Sequence, residues 1–402
     1  MYTDHHTCRA CGNKELIPVF DLGVQPLAND FRKPGESRNG FAPLKVLFCQ
    51  KCTLAQLSAV VDPTLLYEDY AYVTSPSETM RRHFNRLTSE IGTESGNGSL
   101  VEIGSNDGLF LKHLSDAGWR QLIGIDPAIN LSPVASARGV KTISSLFDEQ
   151  AAKDALRILG EVDAVVARHV FAHIDDWKQF IRNLEIMSNT HTTVYLECPY
   201  CLDMMNNGEW DTIYHEHLSF ITIKAMEALL EGTKFHLHRV TAYTVHGGAI
   251  VMTLRRNDLT GQRDRSVDDY LQRENITREN WSAFRYRSFD QMAELLNKLN
   301  QLNQNGHTIC GYGASAKSTV AISRGGFSDL IQFITDTTPQ KQGRLSPGTN
   351  IPIVPQEELL KRQPDYAVCF AWNYRTEILH ANEEYLNRGG HFIFFVPQLE
   401  VV

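Results

Sequence analysis

The sequence predicts an α/β protein that begins with a small metal-binding unit and continues with two sheets of alternating strands and helices. Two Cys-x-x-Cys pairs lie near its start, and patterns of strand, glycine turn and helix begin near residues 99 and 307. The chain has 402 residues, which is more than one ordinary core requires. We therefore predict three domains, with bounds 1–74, 75–285 and 286–402.

Composition restricts the class of protein. Hydrophobic residues make up 42% of the chain and charged residues 21%, which is typical of globular domains with large cores. The formal net charge of -8 argues against general binding to nucleic acid or to an anionic membrane, since both favour clustered Lys and Arg. No apolar run approaches the roughly 18 residues that cross a bilayer, and the first residues lack the apolar segment of a signal peptide. We expect a cytoplasmic protein.

The first domain carries two matching cysteine pairs, Cys8 with Cys11 and Cys49 with Cys52. Such pairs supply the four thiolates of a tetrahedral zinc site, and the glycines and prolines between them allow the chain to fold back. A site with four protein ligands has no open position, so the predicted zinc is structural. Four unconnected thiols are the alternative. Residues 1–60 contain no cluster of Lys and Arg with interleaved aromatics, which disfavours a nucleic-acid ribbon.

A tyrosine-rich segment, residues 62–80, connects the first domain to the second. The spacing of Tyr67, Tyr70 and Tyr72 favours packing, which is the usual role of aromatic side chains. A polar pocket lined by these residues is the alternative.

The central domain begins with a short apolar strand and a glycine turn, SLVEIGSNDG at 99–108. A helix and a second strand follow, and in such sheets ligands bind beyond the carboxyl ends of the strands. Gly104 and Gly108 would allow a ligand close to the backbone, and Asp126 lies where a carboxylate binds ribose hydroxyls. The turn lacks the GxGxxG pattern of dinucleotide-binding proteins. A tight turn without a ligand is the alternative.

Later strands of this domain are predicted at 163–170 and 192–200. His169 and His173 lie near the end of the first of these strands, on the side of the sheet where ligands bind. Cys198-Pro-Tyr-Cys201 matches a sequence of glutaredoxin-like oxidoreductases, but here it follows a late strand of a large unit. We interpret it as the exit from a strand.

The segment YHEHLSF, residues 214–220, concentrates Tyr214, His215, Glu216 and His217. All four side chains can carry protons in catalysis when their surroundings adjust their pKa values. Metal ligation is disfavoured because no familiar zinc-protease spacing is present. A solvated loop is the remaining alternative.

The third domain begins with an amphipathic helix from Phe289 and repeats the strand, glycine turn and helix pattern at 307–320. Strands at 330–336, 365–372 and 391–397 are predicted to complete a smaller parallel sheet.

The glycine turn of the third domain suits a diphosphate bound without a metal. Gly311 and Gly313 permit close backbone approach, and Ser315 and Lys317 lie where a helix begins. The GxxxxGK[ST] spacing of a Walker loop is absent. Glycines that only pack are the alternative.

The ordered combination of motifs resembles one family over essentially the whole chain. The four cysteines, EIGSNDG, VFAHIDD, YHEH, HGGA at 246–249 and GYGASAK occur in this order in sugar C-methyltransferases. EIGSNDG looks like the E/DxGxxxG loop of class I S-adenosylmethionine-dependent methyltransferases. The resemblance implies a zinc-binding N-terminal domain, a central class I methyltransferase domain with a doubly wound sheet, and a C-terminal Rossmann-like domain that helps to bind a nucleotide sugar.

The resemblance also implies a reaction, methyl transfer from S-adenosylmethionine to carbon 3 of a nucleotide-linked 4-keto-deoxysugar. Carbon is a poor nucleophile, so a base must first remove a proton alpha to the ketone and form an enolate. The sugar would be dTDP- or GDP-linked and the protein a monomer. O-methylation of a sugar or phenol, and non-catalytic binding of a nucleotide sugar, are the alternatives.

The resemblance assigns roles to individual residues. His217 is the expected base, Tyr214 and His173 stand near the sugar, and Glu216 orients or tunes an imidazole. His246 is a second candidate for the base, because the paired glycines after it imply a ligand or backbone close by. A turn or an i,i+3 arrangement would bring Tyr214 and His217 together. The residues expected to bind S-adenosylmethionine are Glu102, Gly104, Asn106, Gly108 and Asp126. Those expected to bind the nucleotide sugar are Tyr72, His246, Gly311, Gly313, Ser315 and Lys317.

The chain departs from the family pattern in three places. One is CPYC at 198–201, where an apolar residue before Pro-Tyr is more usual, and it has no evident consequence for the mechanism. The other two are at the ends of strands or turns near the expected substrate. Arg168 and His169 stand where a small polar residue is more usual, and Ala249 and Ile250 stand where a hydroxyl residue often follows the paired glycines. These two departures concern the contacts to the sugar.

Overall fold

The computed structural model of the chain describes residues 1–36, 40–67, 70, 77–258 and 262–402. Within these ranges no helix has the length and apolar character needed to cross a membrane. The strands of the described ranges form a two-stranded, a four-stranded, a seven-stranded and a six-stranded sheet. The three larger sheets correspond to the three units expected from the sequence.

The N-terminal unit is a small antiparallel β structure. Its elements are β1 (Tyr2–Asp4), β2 (Leu16–Pro26), β3 (Phe41–Cys49), β4 (Ala55–Leu57), β5 (Ala59–Val61) and α1 (Pro63–Tyr67). Strands β2, β3 and β4 pair antiparallel, and β1 pairs with β5 in a separate ribbon.

The central unit is the predicted doubly wound sheet covered by helices. Its elements are α2 (Glu78–Ser95), β6 (Ser99–Ile103), α3 (Leu109–Asp116), β7 (Gln121–Ile125), α4 (Ser132–Ala137), β8 (Thr142–Ile143), α5 (Glu149–Leu159), β9 (Ala164–Arg168), α6 (Trp177–Met187), β10 (Thr193–Pro199), α7 (Cys201–Asn207), β11 (Ser219–Phe220), α8 (Ile223–Leu230), β12 (Phe235–Tyr243), β13 (Ala249–Arg256) and α9 (Arg265–Arg273).

Seven of these eight strands form the sheet, in the order β12-β13-β10-β9-β6-β7-β8. The eighth, β11, pairs with β4 of the N-terminal sheet. Strand β13 is antiparallel to both neighbours, and the other pairs are parallel. The chain order reverses between β6 and β9, so a ligand crevice is expected at the carboxyl ends of these two strands. The expectation of a class I methyltransferase sheet is confirmed.

Local sequence explains how these elements form. All five residues of β6 are buried, because helices cover both faces of a parallel sheet. Asp148 and Asp176 cap α5 and α6 by accepting hydrogen bonds from backbone N–H groups of the first turn. Helix α3 begins after Gly108, which has no side chain to cap it, and the Leu109 N–H of the first turn donates to Asp107 Oδ1 at 3.3 Å.

The C-terminal unit is a smaller α/β sheet. Its elements are α10 (Arg278–Gln304), β14 (Ile309–Tyr312), α11 (Ala316–Gly325), β15 (Ile334–Asp336), β16 (Ile353–Pro355), α12 (Glu357–Arg362), β17 (Tyr366–Cys369), α13 (Arg375–Ala381), α14 (Glu383–Asn387), β18 (His391–Phe394) and β19 (Glu400–Val401). The strand order is β16-β15-β14-β17-β18-β19.

Three details of this unit differ from the sequence-based expectation. The strand predicted at 330–336 begins only at Ile334, because a 3-10 turn occupies Ser328–Leu330. Strands β16 and β19 were not predicted, and β19 is antiparallel to β18. Helix α10 also continues through the predicted domain boundary at 285/286, a boundary that stays a prediction.

The N-terminal and C-terminal units share one hydrophobic cluster. Phe20 on β2 packs against Phe284 and Phe289 on α10, with ring centroids 5.3 and 5.7 Å apart. The Thr319 hydroxyl on α11 donates to the Ala28 carbonyl at 2.8 Å. The first and last parts of the chain therefore pack together.

A buried arginine joins the N-terminal unit to the central one. Arg9 is 4% exposed, and its Nε donates to Asp175 Oδ1 at 3.0 Å. Its Nη1 donates to the carbonyls of Leu57 and Leu218 at 3.4 and 3.2 Å. One guanidinium thus ties β4, the loop after β9 and the residue that precedes β11.

Replacing Arg9 with Met should lower the free energy of unfolding by about 2–4 kcal/mol, because the buried carbonyls and Asp175 lose a charged donor. Urea unfolding measures the change. The matched control is Arg182→Met, since the Arg182 side chain on α6 is 55% exposed and should contribute less than about 0.5 kcal/mol. Equal midpoints for the two variants would show that Arg9 does not hold the units together.

Candidate active site and metal centre

The four cysteines of the N-terminal unit converge on one point. Their sulfur atoms lie within 4.8 Å of one another, with Cys8 3.4 Å from Cys52 and Cys11 3.6 Å from Cys49. All four are free thiols. Sulfur atoms arranged tetrahedrally around zinc lie about 3.8 Å apart, so this spacing fits the ion.

The two cysteine turns have the same backbone shape. Gly12 and Thr53, the residues that follow each pair, have φ values of 72° and 63°. Their N–H groups donate back to the carbonyls of Cys8 and Cys49 at 2.9 and 2.8 Å. Each turn therefore presents two thiolates together, as a four-thiolate site requires.

The glycine turn after β6 has a left-handed backbone at Gly104, Asn106 and Gly108, with φ of 69°, 51° and 75°. A Cβ on Gly104 would lie 2.1 Å from Val170 Cγ2, which excludes any larger residue there. The turn lies at the carboxyl end of β6, beside the crevice between β6 and β9.

Asp126 organises this turn from the end of β7. Its carboxylate accepts the N–H of Asn106 at 2.7 Å and the N–H of Ala128 at 2.8 Å. Burial raises the pKa of Asp126, although both N–H groups oppose the shift. From the sequence we predict that this carboxylate binds ribose hydroxyls. In the structure it contacts the glycine turn through the Asn106 N–H.

Glu102 at the end of β6 is fully buried and pairs with Arg168. Its Oε1 accepts from Nε and Nη2 of Arg168 at 3.0 and 2.8 Å. Burial raises the pKa of Glu102 to about 7, and Arg168 opposes this effect. Glu102 Oε2 is buried without a hydrogen-bond partner among the described residues. That oxygen could accept a hydrogen bond from a ligand.

Residues 214–217 form a turn between the 3-10 turn Trp210–Thr212 and β11. The His217 N–H donates to the Tyr214 carbonyl at 2.9 Å. This geometry brings the two side chains together, with the Tyr214 hydroxyl 2.7 Å from His217 Nε2. The expected turn is therefore present.

The second nitrogen of His217 fixes its tautomer. Nδ1 lies 2.7 Å from the Thr212 carbonyl oxygen, which can only accept, so Nδ1 carries the hydrogen. Nε2 is then the acceptor, and the Tyr214 hydroxyl donates to it. Burial lowers the pKa of His217 to about 3, so the ring is neutral at pH 7. A neutral imidazole with a positioned acceptor nitrogen has the form of a general base.

His173 lies beside His217. Its ring centroid is 5.3 Å from that of His217, and Tyr67 stacks on it at 6.0 Å. Burial lowers the pKa of His173 well below its usual value. The Tyr67 hydroxyl is buried without a hydrogen-bond partner among the described residues. A hydroxyl and two neutral imidazoles are thus grouped together.

Glu216 faces the junction of the units. Its carboxylate accepts from Asn29 Nδ2 at 2.7 Å and from the Tyr70 hydroxyl at 3.0 Å. Burial raises the pKa of Glu216 to about 7, and Lys341 is among the groups that oppose the shift. These hydrogen bonds go to the N-terminal unit and the tyrosine segment instead of to an imidazole. Tyr70 therefore does more than pack.

His215 points away from the cluster. Its Nε2 donates to the Ala42 carbonyl at 3.0 Å, and the residue is 1% exposed. Burial lowers its pKa to about 4. It serves the contact between the turn and the N-terminal sheet.

A buried carboxylate near the end of β10, Glu197, was not predicted from the sequence. Glu197 accepts from Nε2 of His83 and Nε2 of His169, each at 3.0 Å. Burial raises the pKa of Glu197, but the two histidines outweigh burial and hold it well below its usual range. Its place at the carboxyl end of a strand in a doubly wound sheet could have indicated it.

The Lys317 side chain extends from the start of α11 toward the central unit. Its Nζ donates to Asn373 Oδ1 and lies 4.1 Å above the Trp372 ring. Burial lowers the pKa of Lys317, and the carboxylates of Asp211 and Glu209 oppose the shift. Asp211 also accepts from Trp372 Nε1 at 2.8 Å. The predicted anion-binding lysine thus belongs to a buried polar cluster between the units.

The other residues predicted for the nucleotide sugar are placed as follows. A Cβ on Gly311 would lie 2.9 Å from the Phe370 ring, so packing is enough to require glycine there. Gly313 has φ of 90°, and Ser315 caps α11. Tyr72 and the side chain of His246 lie outside the described residues.

The CPYC cysteines have the strand-exit role that was predicted. Cys198 lies in β10 and Cys201 begins α7, and both are buried. Burial raises the pKa of both thiols. A redox cysteine needs the opposite, an accessible thiol with a lowered pKa.

Family models match most of the chain in three parts. They are a zinc binding domain at 8–67, a methyltransferase domain at 77–240 and a C-methyltransferase C-terminal domain at 244–397. The C-methyltransferase NovU of Streptomyces niveus is 32% identical over 407 residues, which is 98% of this chain and 96% of that protein. The chain belongs to the S-adenosylmethionine-dependent C-methyltransferase family. In this C-methyltransferase the cofactors are S-adenosylmethionine and a structural zinc, as predicted.

Two solved methyltransferase structures show a more distant likeness. Magnesium protoporphyrin IX methyltransferase from Synechocystis, with bound SAM, is 11% identical with a TM-score of 0.35, over 46% of this chain and 88% of that one. A SAM-dependent methyltransferase from Anabaena variabilis is 13% identical with a TM-score of 0.32, over 47% and 100%. Scores this low do not establish a shared fold, so the family assignment rests on the sequence matches.

The C-methyltransferase should contain one zinc ion per chain, and Cys49→Ser should lose it, because three thiolates bind zinc more weakly than four. Elemental analysis of the purified protein measures the metal. Cys201→Ser is the matched control, since this buried thiol lies outside the cluster and should leave the zinc content unchanged. Full zinc content in Cys49→Ser would contradict the four-thiolate site.

Proposed function

We propose that this C-methyltransferase methylates carbon 3 of a nucleotide-linked 4-keto-deoxysugar through an enolate. The proposal is carried by the fixed tautomer of His217, whose Nδ1 donates to Thr212 and whose Nε2 is left as an acceptor. Methylation at carbon requires removal of a proton alpha to the ketone, and a neutral imidazole suits that step.

In the proposed reaction His217 Nε2 takes the proton from carbon 3. The electron pair of the C–H bond becomes the double bond between carbons 3 and 4, and the π pair of the ketone moves to its oxygen. The substrate carbon replaces Tyr214 at Nε2, which allows the Tyr214 hydroxyl to donate to the enolate oxygen. His173 and Tyr67, beside the base, supply further donors. S-adenosylmethionine, when bound, supplies an electrophilic methyl group for the enolate carbon.

The glycine turn after β6 is the proposed site for S-adenosylmethionine. Gly104, Asn106 and Gly108 allow close approach of the ligand to the backbone. Asp126, 8% exposed at the end of β7, would accept from ribose hydroxyls, and the unpaired Oε2 of Glu102 would accept from another donor of the same ligand. Glu102 lies in β6, at the crevice, and Asp126 follows the neighbouring strand β7.

The start of α11 is the proposed site for the nucleotide portion of the substrate. Lys317 interacts electrostatically with His217, which supports placing a bound anion near the base. Gly313, Ser315, Tyr72 and His246 would complete the site, and the nucleotide would be dTDP or GDP. Zinc-binding thiolates need reducing conditions, which supports a cytoplasmic location. A monomer stays our prediction.

Asp126→Asn should raise the dissociation constant of S-adenosylmethionine by about 10–100-fold, because a charged acceptor for ribose hydroxyls is lost. Isothermal titration calorimetry measures the constant. Asp336→Asn is the matched control, since Asp336 likewise ends the second strand of its unit and accepts the Ala314 N–H at 2.7 Å. The control should bind S-adenosylmethionine normally, and unchanged affinity in Asp126→Asn would show that the site is misplaced.

The enolate predicts exchange of the substrate proton with solvent. The enzyme is incubated in deuterated water with dTDP- and GDP-linked 4-keto-6-deoxysugars, with S-adenosylhomocysteine present, and NMR follows the protons on carbons 3 and 5, which both flank the ketone. Loss of the carbon 3 signal is expected with the wild-type enzyme. His217→Asn should slow it by at least about 100-fold because the base is gone.

His215→Asn is the control, because His215 is an adjacent imidazole that faces the N-terminal sheet. In this variant the carbon 3 proton should exchange with solvent at a rate near that of the wild-type enzyme. Exchange of the carbon 5 proton alone would indicate that the enzyme methylates carbon 5, on the other side of the ketone. Methylation of a ketosugar without any exchange would favour transfer to oxygen. No exchange and no methylation with any ketosugar would overturn the proposed substrate class.

A further inference from the structure

One backbone carbonyl sets the hydrogen position on the proposed base. The Thr212 oxygen lies 2.7 Å from His217 Nδ1 and, because a carbonyl can only accept, it keeps the ring hydrogen on that nitrogen. Without this contact a neutral imidazole could carry its hydrogen on either nitrogen, and Nε2 would be an acceptor in only part of the molecules. The groups that position the Thr212 carbonyl therefore decide how much of the enzyme has a usable base.

Thr212 is the last residue of the 3-10 turn Trp210–Thr212. Its N–H and its hydroxyl both donate back to the Glu209 carbonyl, at 3.2 and 2.6 Å. Segments of 3-10 helix are short, and their hydrogen bonds have poorer geometry than those of an α-helix. A turn of three residues therefore needs support from its neighbours to hold one carbonyl in a fixed direction.

The C-terminal unit supports this turn through two consecutive residues. The Trp210 ring packs against that of Phe395, with centroids 5.9 Å apart. The Asp211 side chain is fully buried, and its Oδ2 accepts from Trp372 Nε1 at 2.8 Å. Burial removes water as a competing partner and strengthens this hydrogen bond. Both contacts come immediately before Thr212 in the chain.

The same indole contacts the helix where the nucleotide portion is proposed to bind. Lys317 Nζ, at the start of α11, lies 4.1 Å above the Trp372 ring and donates to Asn373 Oδ1. Burial raises the pKa of Asp211 to about 6, and the Lys317 charge opposes this rise, so the carboxylate is mainly ionised at pH 7. The Trp372 side chain thus contacts both the nucleotide end of the proposed site and the turn that carries the carbonyl.

We propose that Asp211 is a positioning residue: held by Trp372, it fixes the Thr212 carbonyl and so keeps the hydrogen of His217 on Nδ1. Its effect on catalysis rests on the proposed function, whereas its effect on the imidazole does not. Asp211 acts through the backbone of the turn and takes no part in proton transfer. It raises the fraction of enzyme in which Nε2 is an acceptor.

Nitrogen-15 NMR of the full-length enzyme, labelled at histidine, reads the hydrogen position, because protonated and unprotonated ring nitrogens give separate signals. The spectrum of His217→Asn assigns the His217 signals among those of the 15 histidines. Asp211→Ala removes the acceptor, and Trp372→Phe removes the indole N–H but keeps an aromatic ring. Asp211→Asn keeps an oxygen acceptor for that N–H. The matched control is Trp119→Phe, at a buried tryptophan that precedes β7 at the amino end of the central sheet.

Asp211→Ala and Trp372→Phe should each show a substantial part of His217 with its hydrogen on Nε2. Exchange of the carbon 3 proton, measured as above at saturating ketosugar, should fall by about tenfold or more, because fewer rings offer an acceptor and those are less well placed. The dissociation constant of the ketosugar should change by less than about threefold, since the contact lies outside the substrate. Asp211→Asn and Trp119→Phe should match the wild-type enzyme in all three measurements.

A folded Asp211→Ala that keeps the His217 hydrogen on Nδ1 would overturn the inference, whatever its exchange rate. An equal loss of exchange in Asp211→Asn and in Trp119→Phe would overturn it too, because it would indicate a general effect on packing. Trp372→Phe decides by the same outcomes should Asp211→Ala not fold. A wild-type enzyme that neither exchanges nor methylates would remove the proposed function, and the imidazole spectra would still support or overturn the positioning role.

Discussion

The turn at residues 214–217, which carries the proposed base, depends on a two-residue strand pairing. Strand β11 begins two residues after His217 and pairs with β4, with Ser219 opposite Gln56 and Phe220 opposite Ala55. Cys52 lies in the second cysteine turn, and strand β4 begins three residues after it. Zinc bound by the four thiolates therefore fixes β4, β4 fixes β11, and β11 fixes the backbone that carries His217, the proposed base. Through this connection a structural metal would help to position the proposed base.

Burial adjusts acids and bases in this cleft in opposite directions. It raises the pKa of Glu102 and Glu216 to about 7 and lowers the pKa of His217 to about 3, because an apolar environment disfavours charge of either sign. Neutral imidazoles are ready to accept protons, but a base acts best with a pKa near the working pH. In the proposed reaction the diphosphate of the substrate would stabilise the imidazolium and raise the pKa of His217.

Much of the site was predictable because its groups are close in sequence. The cysteine pairs, the turn at Gly104 and the meeting of Tyr214 with His217 each follow from spacing over a few residues. The partners of Glu216 were not predictable in this way, since Asn29 and Tyr70 lie 187 and 146 residues from it. The same holds for Arg9, whose hydrogen bond to Leu218 spans 209 residues. Strand β19 was missed because two exposed residues carry no hydrophobic pattern.

The sequence by itself determined the fold class, the zinc ligands and the family, because each of these depends on residue type and local spacing. Tertiary structure decided how the resulting groups act. It fixed the tautomer of His217 through a carbonyl, turned His215 away, directed Glu216 to the tyrosine segment and placed Glu197 between two histidines. Proton affinity depends on burial and on neighbouring charge, and in a folded chain those neighbours come from distant parts of the sequence.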